Sequence, residues 1–272
     1  MKLASTDRLE WLVDSGERVT LADGKTVEVW VLNHKNDDVV LSSWAKHLRS
    51  HYCHDTEIDF YRKGYSFSKA EYLNKIKFPD PTVAPGPSIR AGDFSEMLVA
   101  DYLQYVLNYW VPRTRYGDKT VRNESTKGSD ILGFKIIKKD QDSSEDTLAI
   151  FEAKAKFTGR RENKLQDAVN DSSKDQARKA ESLNAIKQRL FQKGLLFDAE
   201  RIERFQNLED RPYKEIYGAA ALFSSAIYDS DLPSKTDVSN HPNSKNLKLL
   251  VIHGNEMMDL VHKIYRRAAD EA

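Results

Sequence analysis

Between Ala149 and Phe157 the chain reads AIFEAKAKF. In an extended strand, side chains two apart share a face, so Phe151, Ala153 and Ala155 turn one way while Glu152, Lys154 and Lys156 turn the other. A carboxylate and an amine are thereby held close together on backbone with little freedom. Glu152 can bind a hard divalent cation through oxygen, and the Ala153 carbonyl is available nearby. Lys154 can orient a water or stabilise charge on a phosphate in a transition state. One carboxylate is a poor Mg²⁺ site, and Asp130, at the start of SDILGFKII, supplies a second. A solvated strand face with charges paired across neighbours accounts for E-x-K equally well. Asp130 alone could cap a turn.

The elements that would position these groups follow from pattern. Ser129 to Ile137 and Thr147 to Phe157 read as strands, joined by the acidic turn Asp140 to Asp146, whose charge would keep it in water. The midpoint of Asp130 and Glu152 falls inside that turn, as an antiparallel pair facing one another would require. Upstream, roughly Asp93 to Trp110 is an amphipathic helix carrying Glu96 at the edge of its apolar stripe. Glu96 could reach the acids on the strands, or be a first-turn acid favoured by the helix dipole. Downstream, a polar stretch leads to a helix in which Ser173 and Gln176 fit a capping box. Its apolar stripe is Ala177, Ala180, Leu183, Ile186 or Lys187, and Leu190.

Val19 to Leu21 and Val27 to Leu32 flank Asp23-Gly24, a hairpin signal. Helices are expected over Ser42 to Ser50, Ser68 to Lys77 and Phe197 to Leu208. Tyr213 to Tyr228 reads as a strand, although its alanines suit a helix; Leu247 to Ile252 is a buried strand, and Asn255 caps a final helix reaching Arg267. The order predicts an α/β domain with helices flanking a mixed sheet. The run PDPTVAPGPS, with four prolines and a glycine, predicts a break. The expected division is an N-terminal α+β segment over 1–78, a candidate partner-binding unit, a Pro-rich linker over 79–88, and the main domain over 89–272.

The 272 residues balance 42 Lys and Arg against 42 Asp and Glu, which argues against a polycation gripping nucleic acid everywhere. A local basic groove is still open: Arg113, Arg115, Lys119 and Arg122 form one cationic loop, and Lys156, Arg160, Arg161, Lys164 and Lys174 another. A single cysteine, Cys53, precludes an intrachain disulfide. The start of the chain has no signal-peptide core, and no apolar run approaches a membrane span, so a cytoplasmic protein is expected. His47, His51, Cys53 and His54 have partial zinc-ligand character, but their spacing matches no zinc knuckle, and a helix end with a buried thiol explains them better. No G-x-x-x-x-G-K-[ST] occurs, so any ATP-driven step belongs to another protein.

Glu96, Asp130 in KGSDILGF and Glu152-Ala153-Lys154 together resemble the core motif of the PD-(D/E)xK nuclease superfamily. With GDFSEMLVADYL, FEAKAKF and SSKDQARKAESL added, the pattern over roughly Arg90 to Arg267 is similar to the HamA family of the bacterial Hachiman anti-phage defence system. One departure is that no Pro precedes Asp130. The resemblance implies a restriction-endonuclease-like mixed sheet flanked by helices, with a small N-terminal mixed segment. It implies Mg²⁺, with Mn²⁺ as an alternative, held by Asp130, Glu152 and Glu96; Lys154 would be the catalytic lysine. Gln176 would be the polar helix residue beside the site, a role that competes with its place in the capping box. The implied activity is a deoxyribonuclease working with DNA and a superfamily 2 helicase, HamB. A catalytically silent nucleic-acid sensor and a helicase-binding scaffold are the alternatives.

Overall fold

The computed structural model describes residues 5–138 and 141–272. Its centre is a six-stranded mixed sheet of order β1-β2-β6-β5-β4-β3. In chain order the elements are β1 (Leu12–Thr20), β2 (Thr26–Leu32), α1 (Asp38–Tyr52), α2 (Asp55–Arg62), α3 (Lys69–Tyr72), α4 (Gly86–Asp101), β3 (Ile131–Lys135) and β4 (Thr147–Lys156). They continue with α5 (Lys164–Ser172), α6 (Asp175–Gln192), α7 (Leu196–Glu203), β5 (Lys214–Ser224), α8 (Asp231–Ser234), β6 (Leu247–Gly254) and α9 (Met257–Asp270). Strands β2, β6, β5 and β4 run parallel, and an antiparallel strand closes each edge.

Each face of the sheet has its own core. Phe151, Leu222 and Ile252 pack with Trp44, Phe94, Leu98 and Ile264 of α1, α4 and α9. On the other face Leu148, Ile150, Ala219 and Val251 pack with Leu165, Leu183 and Ile202 of α5, α6 and α7. A parallel strand covered on both faces must be apolar on both, which is why the alanine-rich stretch forms the interior strand β5. Gly218 on β5 is demanded by its neighbour: a Cβ there would lie 2.3 Å from the Phe151 ring.

The two strands among residues 5–78 join the common sheet. β2 pairs with β6 from Val27 opposite Leu249 to Leu32 opposite Gly254, so the hairpin extends the common sheet. Helix α4 also begins earlier than the proline run predicts. Prolines are tolerated in a first helical turn, where amides have no intrahelical partner, and the turn opens at Gly86-Pro87. Gly86 passes against Asp80, whose carbonyl oxygen would be 2.3 Å from a Cβ. After Asp101 the helix widens into a π-helical turn over Tyr102–Val106, short of the expected Trp110. Trp110 instead exchanges two backbone hydrogen bonds, each 2.8 Å, with Phe134 on β3.

Further expectations need correction. The polar stretch after β4 contains α5, whose buried residues Leu165, Ala168, Val169 and Ser172 keep helical spacing despite few large apolar groups. Helix α6 has no capping box: it starts at Asp175, its N-cap Lys174 makes no side-chain cap, and the Ser173 hydroxyl donates to the Asn170 carbonyl at 2.7 Å. Ala177 and Ala180 are exposed, and the buried face is Ser182, Leu183, Ile186 and Leu190. The last helix is capped by Glu256, with φ of 47°, rather than by Asn255. Of the acidic turn, Asp140 lies outside the described residues; Asp146 is buried, accepting from the Ile137 amide at 2.8 Å and pairing with Arg204.

Candidate active site

The β3–β4 ladder pairs Ile131 with Phe151, and carrying that register one residue further sets Asp130 opposite Glu152. The Asp130 amide donates to Glu152 Oε1 at 3.3 Å, and Asp130 Oδ2 accepts from the Ala153 amide at 3.1 Å. Ala153 thus touches Asp130 through its N–H. Glu152 shares the face of Leu148 and Ile150, beneath α5 and α6, and is 3% exposed. Two residues along that face, Lys154 is half-buried and its Nζ lies 2.6 Å from Asp171 Oδ2 on α5. Burial works against its charge, but Asp171 and Asp130 outweigh it and raise its pKa, so it stays an ammonium.

Glu96 reaches the same place from α4, across the sheet edge. It is buried, accepts from the Tyr116 hydroxyl at 2.6 Å, and has Arg115 Nε 3.2 Å from its Oε2. The other end of the Arg115 guanidinium donates to Asp130 Oδ1 at 2.9 Å and to the Thr126 carbonyl at 2.8 Å, and also to the Ser129 carbonyl. One buried guanidinium therefore ties the helix acid to the strand acid.

Asp175, which the sequence reading passed over, is the fourth acid. It opens α6, is fully buried, and accepts from the Ser129 hydroxyl at 2.7 Å. Its other oxygen, Oδ2, is buried without a hydrogen-bond partner. Gln176 turns away: it is exposed, and its Oε1 accepts from Asn243 Nδ2 at 3.2 Å. A step of one residue rotates a helix by about 100°, enough to exchange the inward and outward positions. Asp at the end of SSKD was the available signal, because acids favour a helix first turn.

The acids crowd one another. Burial, then Asp130, raises Glu96 to about 8. Burial raises Asp175 to about 6. Burial, then Asp130 and Asp175, raises Glu152. Carboxylates gathered out of water resist ionising unless a cation joins them.

Hard oxygen donors of this kind suit Mg²⁺ or Mn²⁺. The unpartnered Asp175 Oδ2 and the raised acids fit a site short of positive charge. Among the described residues, however, no three His, Cys, Asp or Glu side chains stand as a ready-made metal cluster. A divalent ion would need side-chain adjustment around Asp130 and Glu152.

A model of the HamA family matches residues 7–268. The chain belongs to the HamA family. Membership ties it to Hachiman antiviral defence. The match reaches from before β1 almost to the end of α9, so the N-terminal hairpin is part of what this HamA chain shares with its family. Among curated proteins none matches the chain.

Elsewhere the expected cationic groove is largely consumed within the fold. Arg113 pairs with Asp101 at 2.7 Å, Lys119 with Asp93, and Arg122 with Asp80 at 2.9 Å. Lys156 and Lys164 both meet Glu162, at 2.6 and 2.8 Å, and Arg161 meets Asp229 at 2.9 Å. Arg160 and Lys174 are exposed. His47 and His51 lie against each other at 3.2 Å, with His47 also 3.3 Å from Asp101, in a buried polar contact. Cys53 turns its thiol to the His54 carbonyl. No helix among the described residues is long and apolar enough to cross a membrane.

Proposed function

We propose that this HamA-family chain is a metal-dependent deoxyribonuclease with a PD-(D/E)xK core of restriction-endonuclease type. Its site would comprise Asp130, Glu152 and Lys154, with Glu96 and Asp175 in support. The observation that carries this reading is Asp130 facing Glu152 across the end of the β3–β4 ladder, with Lys154 two residues on along the same face.

Asp130 and Glu152 would hold Mg²⁺ or Mn²⁺, which polarises a phosphate and makes a bound water more acidic. The Ala153 amide holds one Asp130 oxygen, Oδ2, at the strand, which leaves Oδ1 as the oxygen that must adjust to take a metal. Lys154, drawn toward Asp171, stands beside the acids as a donor to a non-bridging phosphate oxygen or to the attacking water. Water adds to phosphorus as the opposite P–O bond breaks; one proton of the water is lost to solvent and the leaving oxygen gains one, so the strand is released as one phosphate end and one hydroxyl end. Asp175 anchors the Ser129 hydroxyl and with it the residue before Asp130.

With no phosphate-binding ATP loop of its own, the chain depends on another protein to open duplex DNA. A superfamily 2 helicase such as HamB, supplying strand opening and restraint on cutting, is the proposed partner. Cleavage of duplex and single-stranded DNA by the partner complex, in Mg²⁺ or EDTA, tests the reading. Wild type should cut only with metal, and Glu152→Ala with Lys154→Ala should bind the partner but not cut. Equal cutting by the double variant would remove the proposal.

A further inference from the structure

Arg115 occupies an unusual place: a positive charge belonging to the chain lies where the acids converge. Its side chain is 12% exposed and sits between Glu96 and Asp130. The two ends of this bridge differ. Nη2 makes a well-formed 2.9 Å hydrogen bond to Asp130, whereas Nε, 3.2 Å from Glu96, has no aligned hydrogen-bond partner. The hold on Glu96 is therefore the looser of the two, and Glu96 keeps a separate partner in Tyr116.

The Asp130 segment does not depend on Arg115 alone. Asp130 contacts the Ala153 amide and Glu152, while Ser129 is held by Asp175 through its hydroxyl and by Ser182 Oγ through its amide at 3.2 Å. Arg115 also has somewhere to go. A cavity of about 210 Å³ opens beside it between α4 and α6, lined by Met97, Arg113, Ile186 and Arg189, with the exposed carboxylate Glu181 on its wall. Side chains of the arm that carries Arg115 fasten it to α4: Arg113 to Asp101 and the Met97 carbonyl, Tyr116 to Glu96, and Lys119 to Asp93.

We propose that Arg115 is a resident counter-cation, which competes with a divalent metal for Asp130 and Glu96 and withdraws into the adjoining cavity when metal binds. This rests on the nuclease reading above. In the resting protein a guanidinium covers oxygens of two of the acids that the metal needs, so metal entry and movement of the 113–119 arm are one event. Arg115 acts through Asp130 and Glu96 and is a positioning residue.

The test measures metal binding by the full chain, without DNA. Mn²⁺ affinity by titration calorimetry is compared among wild type, Arg115→Met, Arg115→Lys and Asp130→Asn. Arg115→Met should bind Mn²⁺ about tenfold tighter or more, Arg115→Lys should fall between it and wild type, and Asp130→Asn should bind weakly. In wild type, Mn²⁺ should speed hydrogen–deuterium exchange over residues 113–119, a direction that simple tightening of a site would not give. Folded Arg115→Met binding no tighter than wild type would overturn the proposal while leaving the nuclease reading intact. Mn²⁺ binding to neither protein would remove both. Should Arg115→Met fail to fold, unchanged or slower exchange over 113–119 in wild type is the overturning result.

Discussion

Asp130 and Glu152 hold each other through the backbone as well as by position. The amide of Asp130 donates to Glu152 Oε1 at 3.3 Å, and the amide following Glu152, that of Ala153, donates to Asp130 Oδ2 at 3.1 Å. Two acids that would repel in isolation are fixed by a reciprocal pair of N–H donors.

Lys154→Ala should lower the single-turnover cleavage rate about a hundredfold, the usual consequence of losing one electrostatic donor, without changing Mn²⁺ affinity more than severalfold. Asp171→Asn frees Lys154 from its 2.6 Å partner and should cost less, about tenfold. Rapid-quench cleavage paired with metal titration separates the two. A Lys154→Ala protein that cuts at the wild-type rate would contradict the assignment.

Stability should depend on pH in a direction set by the raised acids. Glu96 rises from 4.5 to about 8 and Glu152 is raised with it, so the native state keeps protons that the unfolded chain has already released. Their stabilising effect is full below the unfolded value near 4.5 and is lost as pH rises through the folded one. Between pH 7 and 8.5 the buried histidines, whose pKa values burial lowers, are neutral in both states and do not oppose the trend. In EDTA, urea unfolding should show stability falling by about 1 kcal/mol per pH unit for each retained proton. Glu96→Gln should flatten the slope, and Mg²⁺ should stabilise more at pH 8.5 than at 7.

Asp175→Asn removes a buried charge whose Oδ2 has no partner while retaining an acceptor for the Ser129 hydroxyl. In EDTA the variant should be as stable as wild type or more so, by about 1 kcal/mol, yet bind metal less well. A loss of several kcal/mol in urea unfolding would instead make Asp175 a purely structural acid.

Asp101 provides the contrast. Burial opposes its charge, but Arg113 and Arg8 overcome this and hold its carboxyl well below the usual range, with His47 at 3.3 Å. Asp101→Ala leaves the buried Arg8 guanidinium, and the half-buried one of Arg113, without their acid and should cost about 3–5 kcal/mol. The melting temperature should fall sharply, in metal or EDTA alike.

The strand pair was readable because its apolar alternation and acidic turn agreed; counting residues about the turn was consistent with Asp130 beside Glu152, but spacing alone does not fix a register, and the ladder supplies it. The β5 strand was readable only as an ambiguity, since alanine suits a helix and becomes strand-forming here through the close packing of neighbours such as Phe151 over Gly218. Helix α5 was missed because its buried face rests on Leu165, Ala168, Val169 and Ser172, with a polar majority around them. Arg115 looked like one of four loop cations for phosphate. No spacing rule could tell that three of those four meet acids on α4, because such pairings depend on how a loop folds back over a helix. The Asp175–Gln176 exchange turned on a single residue of helix phase.

Strand β6 comes from the last tenth of the chain yet lies inside the sheet, between β2 and β5. Synthesis must therefore run on through Gly254 before the N-terminal hairpin has anything to join and before β5 gains its second neighbour. A product of interrupted translation ending before Leu247 would carry every acid of the site without the scaffold's middle. Abandoned synthesis would then leave fragments that carry these acids on an unfinished sheet.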